Sequence, residues 1–221
     1  MNIILAGDSY GYPNYDKQSP LPTPEYHLQY LLQDAGHYVI NASKNGCTNI
    51  QSLNRIHEFH NGKQYDYVIW FHTSPLRDYM YGQACARTFD KFDNDMYVAQ
   101  DYYEKINAQI KNIVSKHNVK FIAIGGCTAL SHHIDKENLY YYINDWKSEI
   151  IGKKLPRAIW WGCMDYPVMP WYDVSEVETM IRELTKREDF PDNGHPGIRP
   201  HADLMQRLTE EVFKKTINSK C

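Results

Sequence analysis

The chain has 221 residues, of which 43% are hydrophobic and 23% charged, enough for one α/β domain with its own core and ordinary for a soluble protein. A net charge of -3, with Lys and Arg scattered along the chain, leaves no basic footprint for nucleic acid, and no apolar stretch reaches the length of a membrane span. Five cysteines without a C-x-x-C pair argue against a disulfide framework or a zinc knuckle and point to a reducing compartment. Ile3 to Ala6 is too short for a signal-peptide core and lacks a basic leader, so the expected location is cytoplasmic.

The first element is Asn2 to Ala6, a continuous apolar run that suits a strand buried on both faces of a parallel sheet. Tyr12 to Pro24 carries four prolines and reads as a loop. Glu25 to Gly36 reads as a helix and Tyr38 to Ala42 as a second strand. In Thr48 to Phe59, Ile50, Leu53 and Ile56 fall three apart and predict a helix, followed by a third strand at Tyr67 to Phe71. Asp95 to His117 is the clearest helix, with Val98, Tyr102, Ile106, Ile110, Ile113 and Val114 in one stripe; Lys120 to Ile124 is a fourth strand. Ala158 to Trp161 reads as a short fifth strand. Ser175 and Glu178 form a capping-box pattern opening a helix through Val177, Ile181 and Leu184. The last helix starts near Pro200 and places Leu204, Leu208, Val212 and Ile217 on one face. This alternation predicts one domain, residues 1–221, built on a mainly parallel five-stranded sheet covered on both sides.

Sites in such a sheet form beyond the carboxyl ends of the strands, where the stretch Gly7-Asp8-Ser9-Tyr10-Gly11 would sit. Gly, Asp and Ser are ordinary turn residues. The stretch also fits a G-x-S-x-G nucleophile elbow, but an elbow needs a helix directly after the serine, and here a proline-rich loop follows. A serine nucleophile needs a base. Among ten histidines, His195 stands out in "FPDNGHPGIRPH", with Asp192 three residues before it. Asp192 can receive the Nδ1 proton of His195 and leave Nε2 free to take a proton from Ser9; the same residues also suit a plain turn.

Taken together, Gly-Asp-Ser after the first strand and Asp-x-x-His-Pro before the last helix resemble the SGNH, or GDSL-type, hydrolase family. The resemblance implies a flavodoxin-like three-layer α/β/α sandwich and a Ser9, Asp192, His195 triad acting on an ester, with an O-acetylated carbohydrate as one substrate. No metal or organic cofactor is needed for that chemistry. "INASKNGCT" is similar to the family's second block, which implies that Gly46 and Ser9 lend backbone N–H groups to the oxyanion hole; otherwise Asn45-Gly46 is a tight turn. The third block departs from the family. Gly-x-Asn-Asp is replaced by "WFHTSP", where Ser74 stands in the position of the asparagine donor, and losing one good donor costs about 3 kcal/mol of transition-state stabilisation. Bacteriophage-encoded members have a similar look, with Gly-Asp-Ser-aromatic-Gly and a Thr-Ser pair after the third strand, which implies the host cytoplasm.

Two other classes compete with this reading. A non-catalytic binding domain on the same fold is favoured by the replaced third block. A metal-dependent hydrolase would draw on the histidine clusters, yet His132, His133 and Asp135 read as a solvated loop, and His57 and His60 as surface residues on one helix face. Gly125-Gly126 does not complete a dinucleotide fingerprint. Cys127 reads as buried, and His201 with Asp203 as helix residues pointing apart. The aromatic segments "YGYPNY" and "WWGCMDYPVMPWY" suit stacking on a sugar and core packing alike.

Overall fold

Four of the five strands are the apolar runs expected from the sequence: β1 (Asn2–Ala6), β2 (Tyr38–Asn41), β3 (Tyr67–His72) and β4 (Lys120–Gly125). The fifth strand of the described sheet, β5, is Tyr141–Ile143, a segment the sequence did not mark. The computed structural model describes residues 1–8, 10–12, 27–60, 62–73, 78, 96–126, 129–151, 196 and 198–214, so the stretch at 158–161 and the helix expected at 175–184 lie outside the described residues. All pairings are parallel, in the order β2-β1-β3-β4-β5. β5 is hard to recognise from sequence because it is three residues long, at the sheet edge, and built mostly of tyrosines, with Tyr142 exposed.

The helices among the described residues are α1 (Leu28–Asp34), α2 (Asn49–Phe59), α3 (Met96–His117), α4 (Trp146–Ile151) and α5 (Ile198–Leu208). Consecutive strand residues serve opposite layers. Ile4, Ala6, Val68, Trp70, Phe121 and Ala123 pack against α2 and α3, while Ile3, Leu5, Ile69, Phe71, Ile122 and Ile124 pack against α1, α4 and α5. This two-sided burial makes the strands continuous apolar runs and defines a three-layer α/β/α sandwich of flavodoxin-like order.

Local chemistry sets the helix ends. Thr48 caps α2: its hydroxyl accepts from the Gln51 N–H at 3.2 Å and the Gln51 side chain accepts from the Thr48 N–H at 3.3 Å, a complete capping box. α1 is capped by a histidine, the His27 Nδ1 accepting from the Gln29 N–H at 3.2 Å. Beyond α5 the chain continues as a π-turn over Thr209–Phe213. Its wider turn brings the adjacent Val212 and Phe213 into the same core.

Candidate active site

The strand order reverses direction at β1, whose neighbours β2 and β3 leave it on opposite sides. The crevice beyond the tips of β1 and β3 is therefore the place where a sheet of this kind binds ligands. Asp8 sits there, fully buried. Its Oδ1 accepts from the Tyr10 N–H at 3.0 Å, its carbonyl accepts from the Gly11 N–H at 3.1 Å, and its Oδ2 accepts from the Thr73 hydroxyl at 2.7 Å. The turn that contains position 9 is thus fixed on both flanks and bonded to the tip of β3. Gly7 allows this approach: its φ is +145°, and a Cβ there would lie 2.7 Å from the Phe71 Cβ.

The stretch after β2 is tied to the same turn. Lys44 N–H donates to the Gly7 carbonyl at 3.1 Å, and Asn41 Nδ2 donates to the Gly11 carbonyl at 2.7 Å. Lys44 to Cys47 closes a turn through a 3.0 Å bond, with Gly46 exposed at φ +71°. No atom lies within 4 Å of a Cβ built there, so glycine is favoured at 46 by backbone conformation and at 7 by conformation and space together.

Beneath the Asp8–Gly11 turn lies an aromatic cluster. The Trp146 ring stands edge-on to Tyr10 at 6.3 Å and to His201 at 5.4 Å, and His201 lies 4.5 Å from His27. Because Nδ1 of His27 accepts the cap bond, its proton sits on Nε2 and donates to the Tyr10 carbonyl at 3.3 Å. His201 is fully buried and neither ring nitrogen has a hydrogen-bond partner among the described residues. Burial holds the His27 pKa down to about 4, and burial plus the neighbouring imidazole holds His201 well below its ordinary value.

Both histidines are neutral in the fold and titrate near 6.5 in the unfolded chain. The unfolded state therefore binds more protons below that pH, so their contribution is intact above pH 6.5 and is lost as the pH falls toward 4. His37, His57, His60 and His117 are lowered too and act in the same direction. The expected result is a urea midpoint that falls steadily between pH 7 and 4.5, with a shallower fall in His201→Leu. An unchanged slope in that variant would assign the acid sensitivity elsewhere.

Of the residues singled out in the sequence, Ser9, Ser74, Asp192, His195 and Cys127 lie outside the described residues, while their neighbours Asp8, Tyr10, Thr73 and Pro196 are described. The two ends of the chain meet at this rim, since His201, six residues after His195, packs on the imidazole bonded to the Tyr10 carbonyl. Asp203 is exposed while His201 is buried, so the two do point apart. Asp135 spends its carboxylate capping a short 3₁₀ turn, accepting from Glu137 N–H and Asn138 Nδ2 at 2.9 and 2.7 Å. His133 is half-buried with its ring stacked on Tyr103 at 5.6 Å, not solvated as expected. His57 and His60 are likewise half-buried against His117, with 2.9 Å between His57 Nδ1 and His117 Nε2. Among the described residues no three His, Cys, Asp or Glu side chains converge to hold a metal, and no helix is long and apolar enough to cross a membrane.

No family model matches the sequence, and no curated protein sequence matches it. Solved structures do share the fold. The chain superposes on a psychrotrophic esterase, EstA, from Pseudoalteromonas sp., in a form inhibited by monoethylphosphonate, with a TM-score of 0.52 and 15% identity over 98% of each chain. It superposes equally on a member of the lipolytic G-D-S-L family from Veillonella parvula, with a TM-score of 0.52 and 13% identity over 96% of this chain and 98% of that one. A two-domain esterase active on acetylated mannans, co-crystallised with mannopentaose, gives a TM-score of 0.50 and 14% identity; 97% of this chain covers 50% of that protein. The architecture is the SGNH hydrolase fold.

Proposed function

We propose that the chain is a serine ester hydrolase in which Ser9 attacks the acyl carbon, His195 accepts its proton through Nε2, and Asp192 orients and stabilises the imidazolium. The proton then passes to the leaving alcohol, and water, activated by His195, releases the acyl group. The N–H groups of Ser9 and Gly46 and the Ser74 hydroxyl receive the negative oxygen. The observation that carries the reading is the Asp8–Gly11 turn, set at the strand-order reversal and bonded through Asp8 to the tip of β3. It holds the residues on either side of a serine at the position where this fold concentrates its chemistry.

The substrate we infer is an ester on a carbohydrate, with an O-acetyl group as the acyl part. The acetylated-mannan esterase of the same fold supports this, as does the aromatic composition, with eighteen Tyr and five Trp, since rings pack on sugar faces. Neither nucleic acid nor a membrane is a partner in this reading, and the enzyme works in the cytoplasm without a metal.

Incubation with a fluorophosphonate probe followed by mass spectrometry of the peptides tests the proposal. A single adduct on the peptide carrying Ser9 is the expected result. An intact protein that takes up no probe, and hydrolyses no 4-nitrophenyl acetate, is instead a binding domain on a hydrolase fold.

A further inference from the structure

Three separate stretches of the proposed site are joined by one buried chain of hydrogen bonds. Thr73, one residue past β3, donates its hydroxyl to Asp8 Oδ2 at 2.7 Å. Its backbone is gripped by a single side chain: Asn49 Oδ1 accepts from the Thr73 N–H at 2.9 Å, and Asn49 Nδ2 donates to the Thr73 carbonyl at 2.8 Å. The other Nδ2 proton goes to the Tyr102 hydroxyl at 3.0 Å, and Tyr102 donates its own proton to Asp78 Oδ2 at 2.6 Å. Asp78 Oδ1 closes the chain by accepting the Ile50 N–H at 3.3 Å. Asp8, Asn49, Thr73 and Tyr102 are all buried.

We infer that Asn49 and Thr73 are positioning residues that set the mutual geometry of the three oxyanion-hole donors. This rests on the proposed serine hydrolase reading. Asn49 pairs with both backbone groups of Thr73 as a neighbouring strand would, so the chain entering Ser74 is held against rotation. The same asparagine is the first residue of α2, three residues after Gly46, so one side chain ties the second block to the third. The Thr73 hydroxyl then ties the third block to Asp8, next to Ser9. Each proposed donor is thereby one to three residues from a member of the chain. Such donors act by being in place before charge develops, and a displacement of about 1 Å costs roughly a hundredfold in rate.

Steady-state hydrolysis of 4-nitrophenyl acetate by wild type, Thr73→Val, Thr73→Ser and Tyr102→Phe tests the assignment. Thr73→Val keeps the shape and removes the hydroxyl; its kcat is expected to fall about ten- to a hundredfold with little change in KM, and Thr73→Ser is expected to restore most of that loss. Tyr102→Phe cuts the chain one link further out and is expected to lower kcat by a smaller factor, which keeps the test open if Thr73→Val fails to fold. Folded Thr73→Val or Tyr102→Phe protein with the wild-type kcat overturns the positioning role, even if its melting temperature drops. A wild-type enzyme that neither turns over the ester nor labels with a fluorophosphonate overturns the hydrolase reading itself, a failure distinct from the loss of the clamp alone.

Discussion

Ser9→Ala is expected to lower kcat for ester hydrolysis by about 10⁴-fold or more while leaving thermal unfolding close to that of wild type. A serine hydroxyl is almost never ionised at neutral pH, so its nucleophilicity depends on the paired base, and an alanine leaves the base with nothing to activate except water. What survives is binding and electrostatic stabilisation by the remaining N–H donors. The fold should be indifferent to the change, because bonds made by Asp8, Tyr10 and Gly11 fix this turn. Purified wild type and variant, compared on 4-nitrophenyl acetate and in a melting experiment, decide the matter. Equal rates would remove Ser9 from the chemistry, and a collapsed melting temperature would recast it as structural.

Gly7→Ala is the structural counterpart, with an expected loss of about 3 kcal/mol or more from strain and overpacking combined. At φ +145° any L side chain is strained, and the new methyl would stand 2.7 Å from the Phe71 Cβ and 2.8 Å from the Phe71 carbonyl oxygen. Those atoms belong to a central strand and cannot retreat without parting β1 from β3. A domain of this size is stable by roughly 5–15 kcal/mol, so the variant should unfold at markedly lower urea and lose the Asp8–Thr73 bond before it unfolds. A midpoint within experimental error of wild type would mean that the two strand tips stand further apart.

The strands and the long helix were legible because each reports its environment within a few residues. β1, β3 and β4 are continuous apolar runs since both faces of the sheet are covered, and α3 carries its stripe of Tyr102, Ile106, Ile110 and Ile113 at helical spacing. β5 was not legible, being a half-exposed edge of three residues. The polar chain through Asp8, Thr73, Asn49 and Tyr102 was equally hidden. Its bonds span 24 to 65 residues of sequence, and no local pattern marks an asparagine at a helix start as the partner of a backbone elsewhere. The flanks of the proposed nucleophile carried a motif because turn chemistry and site chemistry coincide there. The imidazole pair His27 and His201 carried none, since burial of a histidine leaves no periodic trace.

The position of β1 has a consequence for how the protein is made. It is hydrogen-bonded on one side to β2 and on the other to β3, and both follow it in the chain. On the ribosome, Ile3, Ile4 and Leu5 therefore emerge long before residues 67–72 can complete their pairing, and sheets of such sequence-distant contacts assemble slowly. During that interval the nascent segment offers two open edges and two apolar faces, the kind of surface that chaperones bind and that associates with other unfinished chains.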